Sequence, residues 1–112
     1  MPVVKIQTNS EVHDKEKLMD NAANLLSNVL GKPLQYIMVI IDTNTDMLFA
    51  GTREPLAYIE LKSIGLPQNR TSEISAELCN FIERELNVVQ NRIYIEFADA
   101  QRNMFGWNGG TF

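Results

Sequence analysis

Tyr36-Ile-Met-Val-Ile-Ile-Asp42 is the stretch that decides the fold, because a related pattern, Ile93-Tyr-Ile-Glu-Phe-Ala-Asp99, returns 57 residues further along the chain. Both runs are short and rich in β-branched and aromatic residues, which is typical of β-strands. A helical pattern precedes each run, and another strand pattern precedes each helix. This order predicts two consecutive β-α-β units, with residues 1–112 forming a single domain.

The other strand patterns are more varied. The predicted strands, in chain order, are Val3–Thr8, Tyr36–Asp42, a short Met47–Ala50, Ala57–Ile64, Arg92–Asp99 and a short Met104–Trp107. Ala57–Ile64 alternates apolar and polar residues, as expected of a strand with one buried face. Tyr36–Asp42 is apolar on both faces, which predicts a central position in the sheet.

Two amphipathic helices are predicted, over residues 14–30 and over about Asn69–Leu86. Asp14 is a plausible N-cap of the first helix, and Gly31 stands where a C-cap belongs. Apolar residues recur at helical spacing and form one buried stripe on each helix. The stripes are Leu18, Ala22, Leu25, Leu26, Val29 and Leu30 in the first helix, and Ile74, Leu78, Phe81, Ile82 and Leu86 in the second.

We therefore predict an α/β (α+β) fold in which a four-stranded mixed sheet carries both helices on one face. The opposite face has no helix to cover it. A strand that is apolar on both sides, such as Tyr36–Asp42, would expose apolar side chains there. We expect other copies of the chain to cover this face, so the sequence predicts an oligomer.

Composition and charge narrow the classes of function. The net charge is −4 with scattered Lys and Arg, which argues against a nucleic-acid surface. The apolar runs are too short to span a membrane, and no signal peptide pattern opens the chain. Cys79 is the only cysteine and His13 the only histidine, so no metal site is expected. We expect a cytoplasmic protein, with secretion by a route that needs no signal peptide left open.

Pro2 is the candidate for catalysis, since it directly follows Met1. Removal of Met1 would give Pro2 a free secondary amine, the only backbone nitrogen able to act as a base, because all others are amides. A terminal amine titrates near ~8, and apolar burial or a nearby cation lowers its pKa. The amine would then be unprotonated at neutral pH, as a general base must be. Alone, a proline at position 2 is a weak signal.

Four segments give that proline a context: Pro2 before a strand, Gly31–Tyr36, Lys62–Gly65 and Gly106–Asn108. Together they resemble the macrophage migration inhibitory factor family of the tautomerase superfamily, over essentially the whole chain. The resemblance implies the duplicated β-α-β fold and a homotrimer with active sites at subunit boundaries. It also implies keto–enol tautomerisation of small substrates without a cofactor. These would be phenylpyruvate-like α-keto acids and possibly dopachrome-type quinones.

The resemblance further implies a role for particular residues. Pro2 is the base, and Lys32 binds the carboxylate or the enolate oxygen of the substrate. The backbone N–H of Ile64 donates to substrate oxygens, with Ser63 beside it. Aromatic side chains wall the pocket, namely Tyr36, Trp107 and Phe112 of one subunit and Tyr94 of its neighbour.

Several positions depart from the family pattern. Glu96 replaces an asparagine near the pocket, and its carboxylate could pair with Lys32 or raise the pKa of the Pro2 amine. Phe105 replaces a smaller aliphatic residue and would narrow the pocket mouth. Leu56–Ile59 replaces a Cys-x-x-Cys stretch, so thiol–disulfide activity is not expected. Asn44 replaces an acidic residue of the receptor contact, which makes receptor binding doubtful.

Two other functions stay open. One is a cytokine-like or host-mimic trimeric binding protein with weak or vestigial tautomerase activity. The other is a different reaction of an amino-terminal proline, hydration or decarboxylation, in which Glu96 would activate water. The pocket residues also have simpler interpretations, since Tyr36, Tyr94 and Trp107 could serve only packing. Lys32 could be a solvated lysine at the negative end of the first helix.

Overall fold

The computed structural model describes all residues, 1–112, and shows a four-stranded mixed sheet with two helices packed on one face. The sheet strands are β1 (Val3–Thr8), β2 (Met38–Asp42), β3 (Ala57–Ile64) and β4 (Ile93–Ala100). The helices are α1 (Lys15–Leu30) and α2 (Thr71–Leu86). A small hairpin near the C-terminus consists of β5 (Gly106–Trp107) and β6 (Gly110–Thr111). Neither helix is long and apolar enough to cross a membrane.

The strand order is β2-β1-β3-β4. β1 is parallel to β2, and β3 is parallel to β4, while the two inner strands β1 and β3 run antiparallel. Helix α1 connects the first parallel pair and α2 connects the second. This arrangement confirms the predicted pair of β-α-β units and explains why the sheet is mixed.

Alternate strand residues and one stripe of each helix form the core. Val4 and Ile6 of β1 and Ile59 and Leu61 of β3 are fully buried. The helices pack against them with Leu18, Ala22, Leu26, Ile74, Leu78, Phe81 and Ile82, all of which were predicted to be buried. The predicted stripe residues Leu25, Val29, Leu30 and Leu86 lie at the edge of the core and are partly buried. Helical periodicity therefore identified the packed faces correctly.

The ends of α1 set the course of the chain towards the site. The Asp14 Oδ1 atom accepts a hydrogen bond from the Lys17 N–H at 3.0 Å, which is the predicted N-cap. Gly31 adopts the left-handed conformation, with φ of 66°, and terminates the helix. Lys32 follows at once, and its carbonyl accepts a 2.7 Å hydrogen bond from Ser27. The backbone that carries the Lys32 ammonium is thus anchored to α1.

The position and start of β2 correct two predictions. β2 is an edge strand, not a central one, because its only strand partner is β1. It begins at Met38, since Leu34–Tyr36 form a 3-10 turn closed by hydrogen bonds to Pro33 and Leu34. The side chains of Met38 and Ile40 are 58% and 39% exposed. Apolarity on both faces did not distinguish a central strand from an edge strand with an uncovered face.

The short strands also differ from prediction. Met47–Ala50 contributes only an isolated bridge between Phe49 and Thr52. In place of the predicted Met104–Trp107 strand, a 3-10 turn over Arg102–Met104 precedes β5. Both segments contain tight turns, which a strand pattern does not reveal.

The sheet face opposite the helices carries charges at its centre. Lys5, Glu60 and Glu96 lie side by side on β1, β3 and β4, and Lys62 follows on the same face. Charged side chains are compatible with water. The prediction that another copy of the chain covers an apolar sheet face therefore holds only along β2.

Candidate active site

A cavity of about 200 Å³ surrounds the start of β1. Its lining combines the amino terminus, the turn into β2 and the C-terminal hairpin region. The lining residues are Met1, Pro2, Val3, Gln35, Tyr36, Ile37, Met38, Phe105, Gly106, Trp107 and Phe112. Of the residues predicted for the site, the structure therefore brings together Pro2, Tyr36, Phe105, Trp107 and Phe112.

Three aromatic rings form a compact wall of this cavity. The rings of Trp107 and Phe112 are stacked, with their centroids 5.3 Å apart and an interplanar angle of 9°. Tyr36 meets both rings edge-on, at 5.8 Å and 6.3 Å. Such stacked and edge-to-face pairs are the favoured aromatic arrangements. The wall suits the flat, apolar body of a small unsaturated ligand.

Hydrogen bonds connect the wall to the rest of the fold. The Phe112 N–H donates to the Phe105 carbonyl at 3.1 Å, which closes the C-terminal segment back on itself. The Met38 N–H donates to the Pro2 carbonyl at 3.0 Å. Pro2 is thereby held between β2 and the aromatic wall, with its side chain fully buried.

The electrostatics at the amino terminus favour a neutral amine. Burial, followed by the positive charges of Lys32 and Arg102, holds the pKa of the Met1 amine below its ordinary value. All three influences disfavour the ammonium form. In a chain without Met1, the amine would move to Pro2, which is more deeply buried than Met1.

Lys32 does not line the cavity, but its charge reaches the amine. It forms no ion pair, since the one pair closer than 4.0 Å in the chain joins Arg70 and Glu73. The Lys32 ammonium is therefore available to an anionic ligand at the cavity.

Ser63 and Ile64 do not line this cavity. The Ser63 side chain is buried, on the helix-facing side of β3, and its hydroxyl contacts the Ile64 carbonyl at 3.4 Å. The antiparallel register pairs Val3 with Lys62 and so leads the amino terminus towards the Ser63–Ile64 peptide. The predicted role of the Ile64 N–H stays a prediction.

Tyr94 and Glu96 lie apart from the Pro2 cavity of their own chain. Tyr94 is 64% exposed and packs against the Phe49 ring at 4.7 Å. Glu96 accepts a 2.6 Å hydrogen bond from the Tyr58 hydroxyl, an interaction that raises the pKa of Tyr58 to about 12. Glu96 is therefore neither paired with Lys32 nor among the groups that shift the pKa of the amino terminus in its own chain.

Phe105 lines both the Pro2 cavity and a second cavity of about 620 Å³ on the open sheet face. Val3 and Gly106 likewise border both cavities, and Glu96 lines the larger one. The Phe105 ring also packs near the Phe112 ring, with a distance of 5.8 Å between the ring centroids. The predicted narrowing of the pocket mouth by Phe105 stays a prediction.

Sequence reasoning missed Gln35 and Arg102. Gln35 lines the cavity from the 3-10 turn before β2, and Arg102 acts on the amine through its charge. Gln35 lies within the Gly31–Tyr36 segment that had been singled out, so that segment was a usable signal. Arg102 had no signal, because a single exposed arginine has no distinguishing spacing. No group of three or more His, Cys, Asp or Glu side chains is placed to hold a metal ion.

Known proteins resemble this chain in both sequence and architecture. The sequence model of the family described as macrophage migration inhibitory factor (MIF) matches residues 1–112. A macrophage migration inhibitory factor homolog of Trichinella spiralis is 33% identical over 114 residues, covering 100% of both chains. The macrophage migration inhibitory factor of Mus musculus is 34% identical over 116 residues, covering 100% of this chain and 99% of the mouse protein.

A solved structure extends the comparison to three dimensions. The crystal structure of a macrophage migration inhibitory factor homologue from Prochlorococcus marinus superimposes with a TM-score of 0.93. It is 39% identical and covers 98% of each chain. Family match, relatives and fold agree over the full length, so this chain belongs to the macrophage migration inhibitory factor family.

Proposed function

We propose that this protein is a cofactor-independent keto–enol tautomerase whose general base is the amine of Pro2, freed by removal of Met1. Its substrates are phenylpyruvate-like α-keto acids, with dopachrome-type compounds as a second class. One observation carries the proposal: the amino terminus lies at an aromatic cavity where burial and two positive charges lower its pKa. Membership of a family typically composed of tautomerases supports the same assignment.

The proposed reaction moves one proton and changes no oxidation state. The neutral Pro2 nitrogen takes a proton from the carbon next to the keto group, and the bonding electrons form the C=C bond of an enolate. The protonated amine then delivers that proton to the enolate oxygen, which gives the enol and restores the base. The reverse sequence converts enol to keto.

Lys32 has the complementary electrostatic role in this proposal. Its ammonium stabilises the negative charge that develops on the enolate oxygen, or binds the substrate carboxylate. General-base catalysis typically contributes ~10²–10⁴-fold. A fixed electrostatic group in a site with little water contributes a further ~10²–10³-fold. The two groups together therefore supply a substantial acceleration without a cofactor.

We also propose that the active protein is a homotrimer in which a neighbouring subunit contributes Tyr94 to the site. Two features support this. Tyr94 is largely exposed and does not line the Pro2 cavity of its own chain. Strand β2 leaves one edge of the sheet unpaired and carries the exposed side chains of Met38 and Ile40. Sedimentation velocity should give the mass of three chains. A stable single-chain mass would contradict this part of the proposal.

The direct test is the conversion of phenylpyruvate from enol to keto, followed by ultraviolet absorbance. The protein used should have an intact mass that corresponds to loss of Met1. We expect a rate well above the buffer-catalysed background. No rate with correctly processed, folded protein would contradict the proposal. Product analysis with unsaturated acids would then test hydration or decarboxylation.

A further inference from the structure

Arg102 lies at the start of the segment that builds one wall of the Pro2 cavity. The 3-10 turn over Arg102–Met104 leads directly into Phe105, Gly106 and Trp107, all of which line the cavity. The Phe105 N–H donates to the Arg102 carbonyl at 3.3 Å. Arg102 is therefore joined to the cavity wall through its own backbone.

The Arg102 guanidinium has no protein partner. Arg70 and Arg92 donate side-chain hydrogen bonds to backbone carbonyls, but Arg102 makes no such bond and no ion pair within 4.0 Å. The five guanidinium donors of Arg102 are thus unused.

Arg102 and Lys32 approach the site from different parts of the chain. Lys32 follows α1, whereas Arg102 precedes β5, and both charges act on the amino-terminal amine. No carboxylate offsets them there. A substrate with one carboxylate compensates one of these charges and leaves the other unpaired.

We infer that Arg102 is a second anion-binding residue of this site, and that the protein prefers acids with two anionic groups over otherwise identical monoacids. The inference rests on the proposed function and specifies its substrate class as a dianionic α-keto acid. Lys32 would hold the group next to the reacting carbon. The guanidinium would bind the distal carboxylate in the two-pronged geometry typical of arginine. The aromatic wall of the cavity would contact the body of the ligand.

The expected preference is moderate, because Arg102 is exposed to solvent. Hydrogen bonds to charged groups contribute about 1.5–3 kcal/mol in favourable settings. That range corresponds to roughly 10–100-fold in affinity. Because the Arg102 side chain is exposed to solvent, we expect a difference at the lower end of this range.

Binding of unreactive acids tests the inference without depending on tautomerase activity. We would titrate 3-phenylpropanoate and 3-(4-carboxyphenyl)propanoate into protein lacking Met1, using isothermal titration calorimetry. The two acids share one skeleton and differ by one carboxylate. We expect the diacid to bind ~10-fold more tightly to the unchanged protein. Equal affinities would overturn the inference, whether or not the protein is a tautomerase.

Substitutions then assign the preference to a residue. Arg102→Gln should abolish the preference for the diacid. The affinity for the monoacid should change by less than about threefold, because the monoacid makes no charge-assisted hydrogen bond to Arg102. Arg84→Gln is the matched control, since Arg84 lies on α2 over the Phe81 ring and should leave the preference intact. A preference that survives Arg102→Gln, or that disappears equally in Arg84→Gln, would overturn the assignment. Thermal melts of both variants verify folding.

Discussion

Protein that keeps Met1 is expected to lack the proposed phenylpyruvate tautomerase activity, because the Pro2 nitrogen is then an amide without a usable lone pair. We expect kcat/KM to fall by ~10²–10⁴-fold, the range that a general base contributes. The comparison requires two preparations of one sequence, one processed and one retaining Met1, each verified by intact mass. Both would be assayed with phenylpyruvate at the same pH.

Pro2→Gly is the companion variant. It retains a free amino terminus but replaces the secondary amine and removes the buried pyrrolidine ring that precedes β1. We expect kcat/KM to fall by at least ~10²-fold while the melting curve stays cooperative. Similar rates for the processed, Met1-retaining and Pro2→Gly proteins would show that the chemistry does not occur at this nitrogen.

Lys32→Met is the variant with the second largest expected effect. It removes an unpaired positive charge near the amine while keeping most of the side-chain volume. Loss of one electrostatic group of this kind typically costs ~10²–10³-fold in rate. Because the Lys32 side chain is partly exposed, we expect about 10²-fold in kcat/KM.

The pH profile gives the same variant a second readout. The Lys32 charge lowers the pKa of the amino-terminal amine, so its removal should raise that pKa. A base acts in its neutral form, so activity increases as pH rises through the amine pKa. The rising limb of kcat/KM should therefore move to higher pH in Lys32→Met and stay near its original position in Lys32→Arg. An unchanged limb in Lys32→Met would contradict the proposed proximity of charge and base.

Much of the fold was predictable because its signals are local. Residues spaced by three and four identified the buried helix stripes, and Asp14 and Gly31 marked the ends of α1. The place of β2 in the sheet was not predictable in this way. Whether an apolar strand lies at the centre or the edge depends on pairing between distant segments, and Tyr36–Asp42 gives the same pattern in both cases.

The predicted site residues likewise fall into two groups, those that meet in the Pro2 cavity and those that lie elsewhere. Pro2, Tyr36, Trp107 and Phe112 meet in one cavity, and their roles there stay predictions. Tyr94 and Glu96 lie outside this cavity, on the β4 side chains that alternate with the core residues Ile93 and Ile95. Arg102 escaped prediction because its charge acts on the amino terminus only through the folded position of the 3-10 turn over Arg102–Met104.

The most direct test of the account is the titration of the Pro2 nitrogen itself. Selective 15N labelling of proline and removal of Met1 would allow its chemical shift to be followed against pH by NMR. We predict an amine pKa below ~8 in the unchanged protein and a higher one in Lys32→Met, each in agreement with the rising limb of kcat/KM. A pKa at or above that ordinary value, unaffected by Lys32→Met, would contradict the claim that the fold holds Pro2 as a neutral base.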